Sequence, residues 1–413
     1  MSETPPVKAP PGLARLSLGL AVGTLAWAVP FSAATTVLLP SLIARVAPAD
    51  KVGLLATVTI TGSLAALVAN VLFGVASDAT RSRFGARNPW IVAGGLMSAA
   101  CLMMLASVSS LPAVFVWWCC FQASMNALIA PLAAVLPDRV AVARRGAVSA
   151  VIGTALVIGQ AIGVITGAAF LSDPATGFLI LAGASVLLTA AFVALAPDRP
   201  NRSGATATLT ARHVLSRFRL PYGNGVGDFY WALFGRLLLI LGYFLIMGYM
   251  LYILTDHMHQ SSEQAQKLIT LTALLTLAGS LVGASIAGPL SDTLGRRKAP
   301  VFVSSAFIGA AAIVPFLQAR PAAMLVFAAV AGLGLGTYTS VDSALVSEVL
   351  PDEASRGRDL GILNMANTGG QIAAPAITSL VVADLGGFQV VFLASAAFCV
   401  LAALAILPIR SVR

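Results

Sequence analysis

The sequence predicts an all-α integral membrane protein with twelve transmembrane helices in two six-helix halves. Of its 413 residues, 58% are hydrophobic and only 10% are charged, whereas a soluble domain carries about 25% charged residues. Long apolar runs alternate with short polar breaks, and several short motifs occur twice along the chain. These three observations together predict the fold class.

The apolar runs are about 20 residues long, which a helix needs in order to cross about 30 Å of hydrocarbon. Twelve spans are predicted, at residues 13–39, 52–76, 90–108, 112–135, 147–170, 176–196, 229–255, 267–287, 300–318, 322–346, 360–383 and 388–408. The longest break is rich in Pro, Gly, Ser, Thr and Arg, and divides them six and six. The predicted organisation is a cytoplasmic tail (1–12), a first half (13–196), a cytoplasmic linker (197–227), a second half (228–408) and a cytoplasmic tail (409–413).

The positive charges predict how the spans are oriented. With both termini in the cytoplasm, 20 of the 25 Lys and Arg residues lie in cytoplasmic segments. Arg45, Lys51, Lys267 and Arg320 lie on the other side, and Arg236 lies within a span. This asymmetry follows the positive-inside rule. It indicates a multi-pass protein of the cell membrane, in contact with lipid, and explains the net charge of +9 without a nucleic-acid partner.

The two halves repeat each other in sequence. Val-Leu-Pro-Asp segments begin at Val135 and Val349, which are 214 residues apart. Gln160 and Gln371 follow at a similar separation of 211 residues. Matches at a nearly constant offset indicate a duplicated six-helix unit, and two parallel units joined by a cytoplasmic linker are typical of one transporter architecture.

The most distinctive motif is a short loop that occurs once in each half. The first copy, at 74–89, reads GVASDATRSRFGARNP, and the second, at 288–300, reads GPLSDTLGRRKAP. In both copies a glycine precedes an aspartate by four residues, and another glycine and arginines follow. The two aspartates, Asp78 and Asp292, are again 214 residues apart.

These loops resemble the signature between spans 2 and 3, and between spans 8 and 9, of the major facilitator superfamily. The longer first copy is similar to the form found in glycoside/cation symporters and sucrose-carrier-like proteins. The segments at 228–254 and 341–368 also resemble the sucrose-carrier-like group. The resemblance covers essentially the whole chain. It implies the fold of that superfamily and secondary active transport by alternating access, and we expect no enzymatic activity.

The resemblance implies that the loops latch the cytoplasmic side while the carrier faces outward. The positions that match the motif are Gly74, Asp78, Gly85, Arg87, Gly288, Asp292, Gly295, Arg296 and Arg297. A carboxylate at a helix end can pair with nearby arginines and face the N-terminus of a neighbouring helix. We expect Gly74 and Gly288 to permit close approach of a partner helix. The alternative is that the arginines only determine topology.

Two charged residues lie well inside predicted spans, where a charge is costly unless it is paired or hydrated. Arg236 lies about 12 Å inside span 7 and Asp342 about 13 Å inside span 10, from the same face at 1.5 Å per residue. In the resembled superfamily, spans 1, 4, 7 and 10 line the central cavity. An aspartate beside an arginine stays ionised, and loss of that contact favours protonation, as proton coupling requires. The alternative is a static pair that braces two spans.

Polar and aromatic side chains within spans are the candidate solute contacts. They are Trp27, Trp118, Gln122, Asn126, Gln160, Tyr338, Asn364, Asn367 and Gln371. Several are spaced by three or four residues and so share a helix face. Such a stripe either faces a water-filled cavity or bonds a neighbouring helix, and for the stripe of Thr272, Thr276 and Ser280 packing is favoured.

Three hypotheses follow. The leading one is a proton-coupled symporter of a sugar, glycoside or similar neutral polar solute. Spans 1 and 2 contain no carboxylate, unlike the resembled sucrose and melibiose-type carriers, so coupling is expected to run through Asp342. The alternatives are a proton-driven exporter of an amphipathic metabolite or drug, and an assembly factor or lipid- or pigment-handling scaffold without turnover.

The sequence also leads us to expect no metal and no bound cofactor. No cluster of Cys and His has metal-ligand spacing, and the glycine-rich phosphate loop of an ATP-driven pump is missing. The expected coupling ion is the proton, and the expected partners are a small-molecule substrate and membrane lipid. We expect the chain to act as a monomer.

Overall fold

A computed structural model describes residues 12–198, 200, 221, 226–348 and 356–409. These parts form twelve long helical segments. The first half contains α1 (Leu13–Ala33), a π-helical segment (Ala34–Leu38), α2 (Leu39–Val46), α3 (Lys51–Ala79), α4 (Asn88–Ala106), α5 (Leu111–Arg139), α6 (Val142–Ala169) and α7 (Pro174–Leu195). The second contains α8 (Gly227–Met247), α9 (Met250–Tyr252), a π-helical segment (Ile253–His257), α10 (Ser262–Leu294), α11 (Lys298–Leu317), α12 (Pro321–Glu348), α13 (Arg356–Asp384) and α14 (Phe388–Ile406).

Eleven of the helical segments in the described ranges are long and apolar enough to cross a membrane. The twelfth, α13, has the same length as α3, 29 residues. Its charged first turn and its amide stripe lower its hydropathy, so length rather than composition identifies it as a span. The prediction of an all-α membrane protein with twelve helices in two halves is confirmed.

The helices extend beyond the predicted spans at the end of the bundle that carries the motif loops. Helix α3 continues to Ala79 and α10 to Leu294, so the glycine and aspartate of each motif are helical. Helix α5 continues through Pro137 to Arg139. Hydropathy drops at the first charged residue, but backbone hydrogen bonding continues where the helix emerges into water. The loops themselves are correspondingly shorter than the polar breaks.

Because successive helices run in opposite directions, the bundle has two ends. The loop end carries the two motif loops, and the distal end carries the start of α3 and the end of the second π-helical segment. Along the bundle, the halves touch where α3 packs on α13 and where α6 packs on α10.

A distal clasp, formed by Pro40, Lys51, Tyr252 and Asp256, joins the halves at the distal end. Lys51 Nζ lies 2.8 Å from Asp256 Oδ1. Tyr252 Oη donates a hydrogen bond of 2.8 Å to the Pro40 carbonyl, and Lys51 Nζ lies 5.0 Å from the centre of the Tyr252 ring. Each half places its π-helical segment next to this clasp. The distal end is therefore closed in this structure.

Candidate functional site

The first motif loop is organised around Arg87. Its guanidinium lies 2.5 Å from Asp78 at the end of α3 and 2.9 Å from Asp138 at the end of α5. It also donates a hydrogen bond of 2.6 Å to the Oγ of Ser77, which is fully buried. The backbone N–H of Arg87 donates to Asp198 Oδ2 at 3.1 Å, just beyond α7. Arg87 therefore connects α3, α5 and the segment that follows α7.

The surroundings of Arg87 keep it charged. Burial works against the charge, but hydrogen bonds and the negative charges of Asp78 and Asp138 outweigh that effect, so the pKa of Arg87 is raised. Gly85 allows the turn, because its φ of 91° lies in the left-handed region. A Cβ at Gly85 would also collide with the Asp198 carboxylate.

The second loop repeats the arginine–serine contact. Arg297 Nη1 donates to Ser291 Oγ at 3.1 Å, and Ser291 donates at 3.1 Å to the Arg296 carbonyl. Like Ser77, Ser291 is fully buried. Gly295 ends α10 in the left-handed conformation with φ of 60°, which glycine adopts without strain. The side chain of Asp292 lies outside the described residues.

The close approach predicted at Gly74 and Gly288 is not what this structure shows. A Cβ at either residue would meet its nearest neighbour, Ala130 or Ser340, at an ordinary 3.9 Å. Both glycines sit near the ends of long helices, and a larger side chain would fit in ordinary contact with the neighbouring helix at either position.

Arg236 and Asp342, predicted to lie at similar depth, form an ion pair. Arg236 Nη2 lies 2.8 Å from Asp342 Oδ2, and each side chain is 11% exposed. Arg236 Nε donates to Asn367 Oδ1 at 2.9 Å, so α8, α12 and α13 meet at this point. This group of three residues is called the charged cluster below.

Tyr338 lies one turn from Asp342 on the same face of α12 and is 4% exposed. Its Oη is buried next to the ion pair and interacts with both Asp342 and Arg236, although no hydrogen bond of standard geometry is formed. A buried hydroxyl normally finds a partner. Tyr338 therefore belongs to the immediate surroundings of the charged cluster.

The aromatic candidates of the first half lie elsewhere. Trp118 is fully buried between α3 and α5, where a Cβ on Gly62 would collide with its ring. Gln122 is 3% exposed and lies in the same interface. Trp27 is half-buried and contacts Phe31, with 6.2 Å between ring centres. The contacts described for these side chains lie within the first half.

Besides Asn367, which is half-buried within the charged cluster, three of the predicted amides are at least partly accessible. Gln160 on α6 and Gln371 on α13 are exposed, and Asn126 on α5 is half-buried. Gln160 lies two residues from Ile162, an exposed apolar side chain, so the two point to nearly opposite sides of α6. The side chain of Asn364 lies outside the described residues.

The stripe on α10 is used for packing, as expected. Thr276 and Ser280 donate to backbone carbonyls of Ala328 and Gly332 on α12, at 3.4 and 3.1 Å. Thr272 donates within its own helix.

Sequence reasoning missed several partners. Asp138 and Asp198 bind Arg87, and Asn70 donates at 3.0 Å to Asn126 Oδ1. Asp138 belongs to the repeated Val-Leu-Pro-Asp segment, and Asn70 interrupts an apolar span. Both signals were visible, but nothing in the sequence indicated which residues they contact.

The sequence profile of the Major Facilitator Superfamily matches residues 16–233 and 232–413. This chain belongs to the major facilitator superfamily. Members of this superfamily are membrane transporters rather than enzymes, which agrees with what the resemblance of the duplicated loops implied.

The curated relatives match this transporter over part of its length. A myo-inositol transporter of Cryptococcus neoformans is 35% identical over 128 residues, which are 31% of this chain and 22% of the relative. A probable inositol transporter of Arabidopsis thaliana is 30% identical over 155 residues (37% and 24%). The glucose transporter GlcP of Staphylococcus epidermidis is 33% identical over 113 residues (27% and 25%). The matches thus span about a quarter of these relatives.

Solved structures of the same fold cover nearly the whole transporter. The nucleoside transporter NupG, as a D323A mutant, superposes with a TM-score of 0.74 at 17% identity over 95% of this chain and 99% of its own. A D-xylose-proton symporter gives 0.70 at 14% identity, with 96% and 98% covered. At these identities the likeness shows the fold alone.

Proposed function

We propose that this transporter is a proton-coupled symporter of a neutral polyhydroxylated solute, a sugar or related polyol, with Asp342 as the proton-accepting group. The observation that carries the proposal is the ion pair between Arg236 and Asp342, nearly buried within the second half. We further propose that it acts as a monomer in the cytoplasmic membrane, with both termini inside and no cofactor besides the proton.

The chemistry of the charged cluster fits this role. Protonation of Asp342 neutralises its charge and ends its attraction for Arg236. The guanidinium and the Asn367 amide then become available to solute hydroxyl groups, and the Tyr338 Oη offers a further donor and acceptor. Proton and solute thus favour the same rearrangement, and this shared preference is the free-energy coupling that symport requires.

The relatives support the solute class. The names of the partially matching relatives specify inositol and glucose, which are neutral and carry several hydroxyl groups. A neutral solute leaves Arg236 and Asp342 free to neutralise each other, so the resting site needs no further counter-ion.

Uptake into proteoliposomes tests the proposal. Wild type should accumulate a member of a panel of sugars and inositols when an inward proton gradient is imposed. Asp342→Asn should lose this gradient-driven accumulation but retain solute exchange, because exchange needs no net proton movement.

Asp384→Asn is the matched control, because this exposed carboxylate lies at the far end of α13; it should accumulate solute like wild type. Gradient-driven accumulation by Asp342→Asn at the wild-type level would rule out Asp342 as the coupling residue. If wild type moves none of the panel in either direction, the solute class is wrong.

A further inference from the structure

Asn70 is exposed on a face of α3 that does not face lipid. The large apolar residues exposed on this helix are Leu64, Val68 and Leu72, which are 51%, 59% and 62% exposed. Asn70 is also exposed, but it follows Val68 and precedes Leu72 by two residues each. At about 100° per residue, it points to nearly the opposite side of the helix. A polar amide exposed there, away from the lipid side, indicates a water-accessible surface.

Asn70 is held in place by a chain of amide hydrogen bonds. Asn126 Nδ2 donates to the Gln122 carbonyl at 2.9 Å, and Asn70 Nδ2 donates to Asn126 Oδ1 at 3.0 Å. Within the described residues, these bonds use one N–H of each side-chain amide. The Asn70 Oδ1 acceptor and one N–H on each residue remain. This arrangement presents an acceptor and two donors side by side, which matches two neighbouring hydroxyl groups.

Asn70 lies as many residues from the loop end of its helix as Arg236 does. Asn70 precedes the end of α3, Ala79, by nine residues, and Arg236 follows the start of α8, Gly227, by nine residues. Both ends belong to the loop end, so each residue lies about 14 Å from it at 1.5 Å per residue. Counted from the loop end of each helix, the two halves therefore carry polar groups at a similar position along the helix.

We propose that Asn70, oriented by Asn126, is a solute-binding residue of the first half, and that it recognises hydroxyl groups on the side of the solute opposite the charged cluster. This inference rests on the proposed function, because it takes the solute to be polyhydroxylated. It gives the first half, which contributes no charge to the site, a role in specificity.

Cysteine labelling tests whether Asn70 faces water, independently of transport. In a background without the four native cysteines, Asn70→Cys should react with a charged, water-soluble maleimide in membrane fragments accessible from both sides. Val68→Cys, on the lipid side, should react much more slowly. Equal, slow labelling of both positions overturns the proposal.

Binding measurements test recognition. Competition of myo-inositol, glucose and their monodeoxy analogues for wild-type transport should reveal one hydroxyl whose removal weakens binding about tenfold, as for a lost hydrogen bond to a buried group. In Asn70→Ala, removal of that hydroxyl should no longer weaken binding; this loss of affinity is called the deoxy penalty. A melting temperature like that of wild type confirms that the variant is folded. Asn70→Thr, which retains a donor and an acceptor, should restore part of the deoxy penalty.

The outcomes separate the two proposals. Uptake of these solutes with the deoxy penalty unchanged in Asn70→Ala overturns the role of Asn70 and leaves the proposed function intact. Failure of wild type to bind any of them overturns the proposed function, and the recognition role of Asn70 with it.

Discussion

At the scale of single residues, Arg87 is the most connected side chain of the motif loop. Its planar guanidinium reaches Ser77, Asp78 and Asp138 at once. A lysine would retain the positive charge, but its single ammonium group on a flexible side chain lacks the fixed N–H donors of a guanidinium. Geometry, rather than charge alone, therefore determines how the ends of α3 and α5 are held together.

Arg87→Lys should slow transport and lower the melting temperature, with less effect on the apparent affinity for solute. The reason is that the site lies deeper in the bundle and is not touched by Arg87. The measurement is the initial rate and half-saturation concentration in proteoliposomes. Arg83→Lys is the control, because Arg83 is exposed and lies over the Phe84 ring. A change in affinity as large as the change in rate would contradict the latch role that the family resemblance implies for this loop.

The sequence could indicate only part of this network. Asp78 and Arg87 lie in one motif, so their pairing was expected. Asp138 and Asp198 lie 51 and 111 residues from Arg87. Contacts across such separations depend on which helix ends meet, and hydropathy does not contain that information. Asn70 was missed for the same reason, since its meaning depends on which side of α3 faces lipid.

At the scale of elements, the tightest contact described is between α10 and α12. A Cβ on Gly279 or Gly332 would approach a backbone oxygen of the facing helix to 2.6 Å, and Gly283 and Gly336 are at least as tight. The glycines are spaced by four on each helix and so form two facing stripes. Small residues let membrane helices approach closely, and here the hydroxyl groups of Thr276 and Ser280 bond across the gap.

Gly336→Ala should destabilise the transporter by roughly 1–3 kcal/mol, the usual cost of overpacking. Its Cβ would collide with the Ser280 carbonyl, which cannot move without separating the helices. The measurement is thermal unfolding in detergent. Gly153→Ala is the matched control, since Gly153 lies within α6 with nothing within 4 Å of its Cβ position; alanine's higher helix propensity should make it neutral or stabilising. Equal effects of the two substitutions would contradict the packing explanation.

The sequence predicted the central parts of the helices well and their ends poorly. The apolar runs mark the part of each helix that lies in hydrocarbon. Helix α3 ends at Ala79 rather than Ala76, and α10 at Leu294 rather than Ala287, because helices continue into water as long as their backbone groups remain bonded. No pattern in the sequence predicts the two π-helical segments, which lie next to the distal clasp.

At the scale of the whole molecule, the distal clasp bears on which side of the carrier is open. Besides the ion pair and the Tyr252 contact, Tyr249 Oη lies 3.1 Å from the Val52 carbonyl and 3.2 Å from the Pro375 carbonyl. The contact with Val52 links the halves and must be broken when the distal end opens, whereas the contact with Pro375 lies within the second half. In alternating access, the strength of the contacts between the halves contributes to the balance between the two states.

Lys51→Met should raise the ratio of distal-open to distal-closed molecules by up to about fivefold. This ratio corresponds to about 1 kcal/mol, the upper contribution of a partly exposed ion pair. Distances between spin labels at the distal ends of the two halves measure it. Lys267→Met is the control, because Lys267 pairs with Glu263 within one helix and joins no halves. The charge swap Lys51→Asp with Asp256→Lys should restore the balance; an unshifted distribution in Lys51→Met contradicts the clasp.

The duplication of the halves was readable from matching motifs, and with it the architecture. The asymmetry between the halves was not. The buried ion pair lies in the second half alone among the described residues, whereas the described amide pair of Asn70 and Asn126 lies in the first. Such differences arise from single residues on a common framework, and a repeat detected by its similarities cannot display them.

The anchoring of Asp198 has a practical consequence for experiments that divide the chain. The carboxylate of Asp198 caps the Arg87 amide and packs against Gly85, so residues as far as 198 belong physically to the first half. A transporter expressed as two separate polypeptides keeps this cap when the break is placed after Pro200. A break at the end of α7 would remove it and leave the Arg87 amide uncapped.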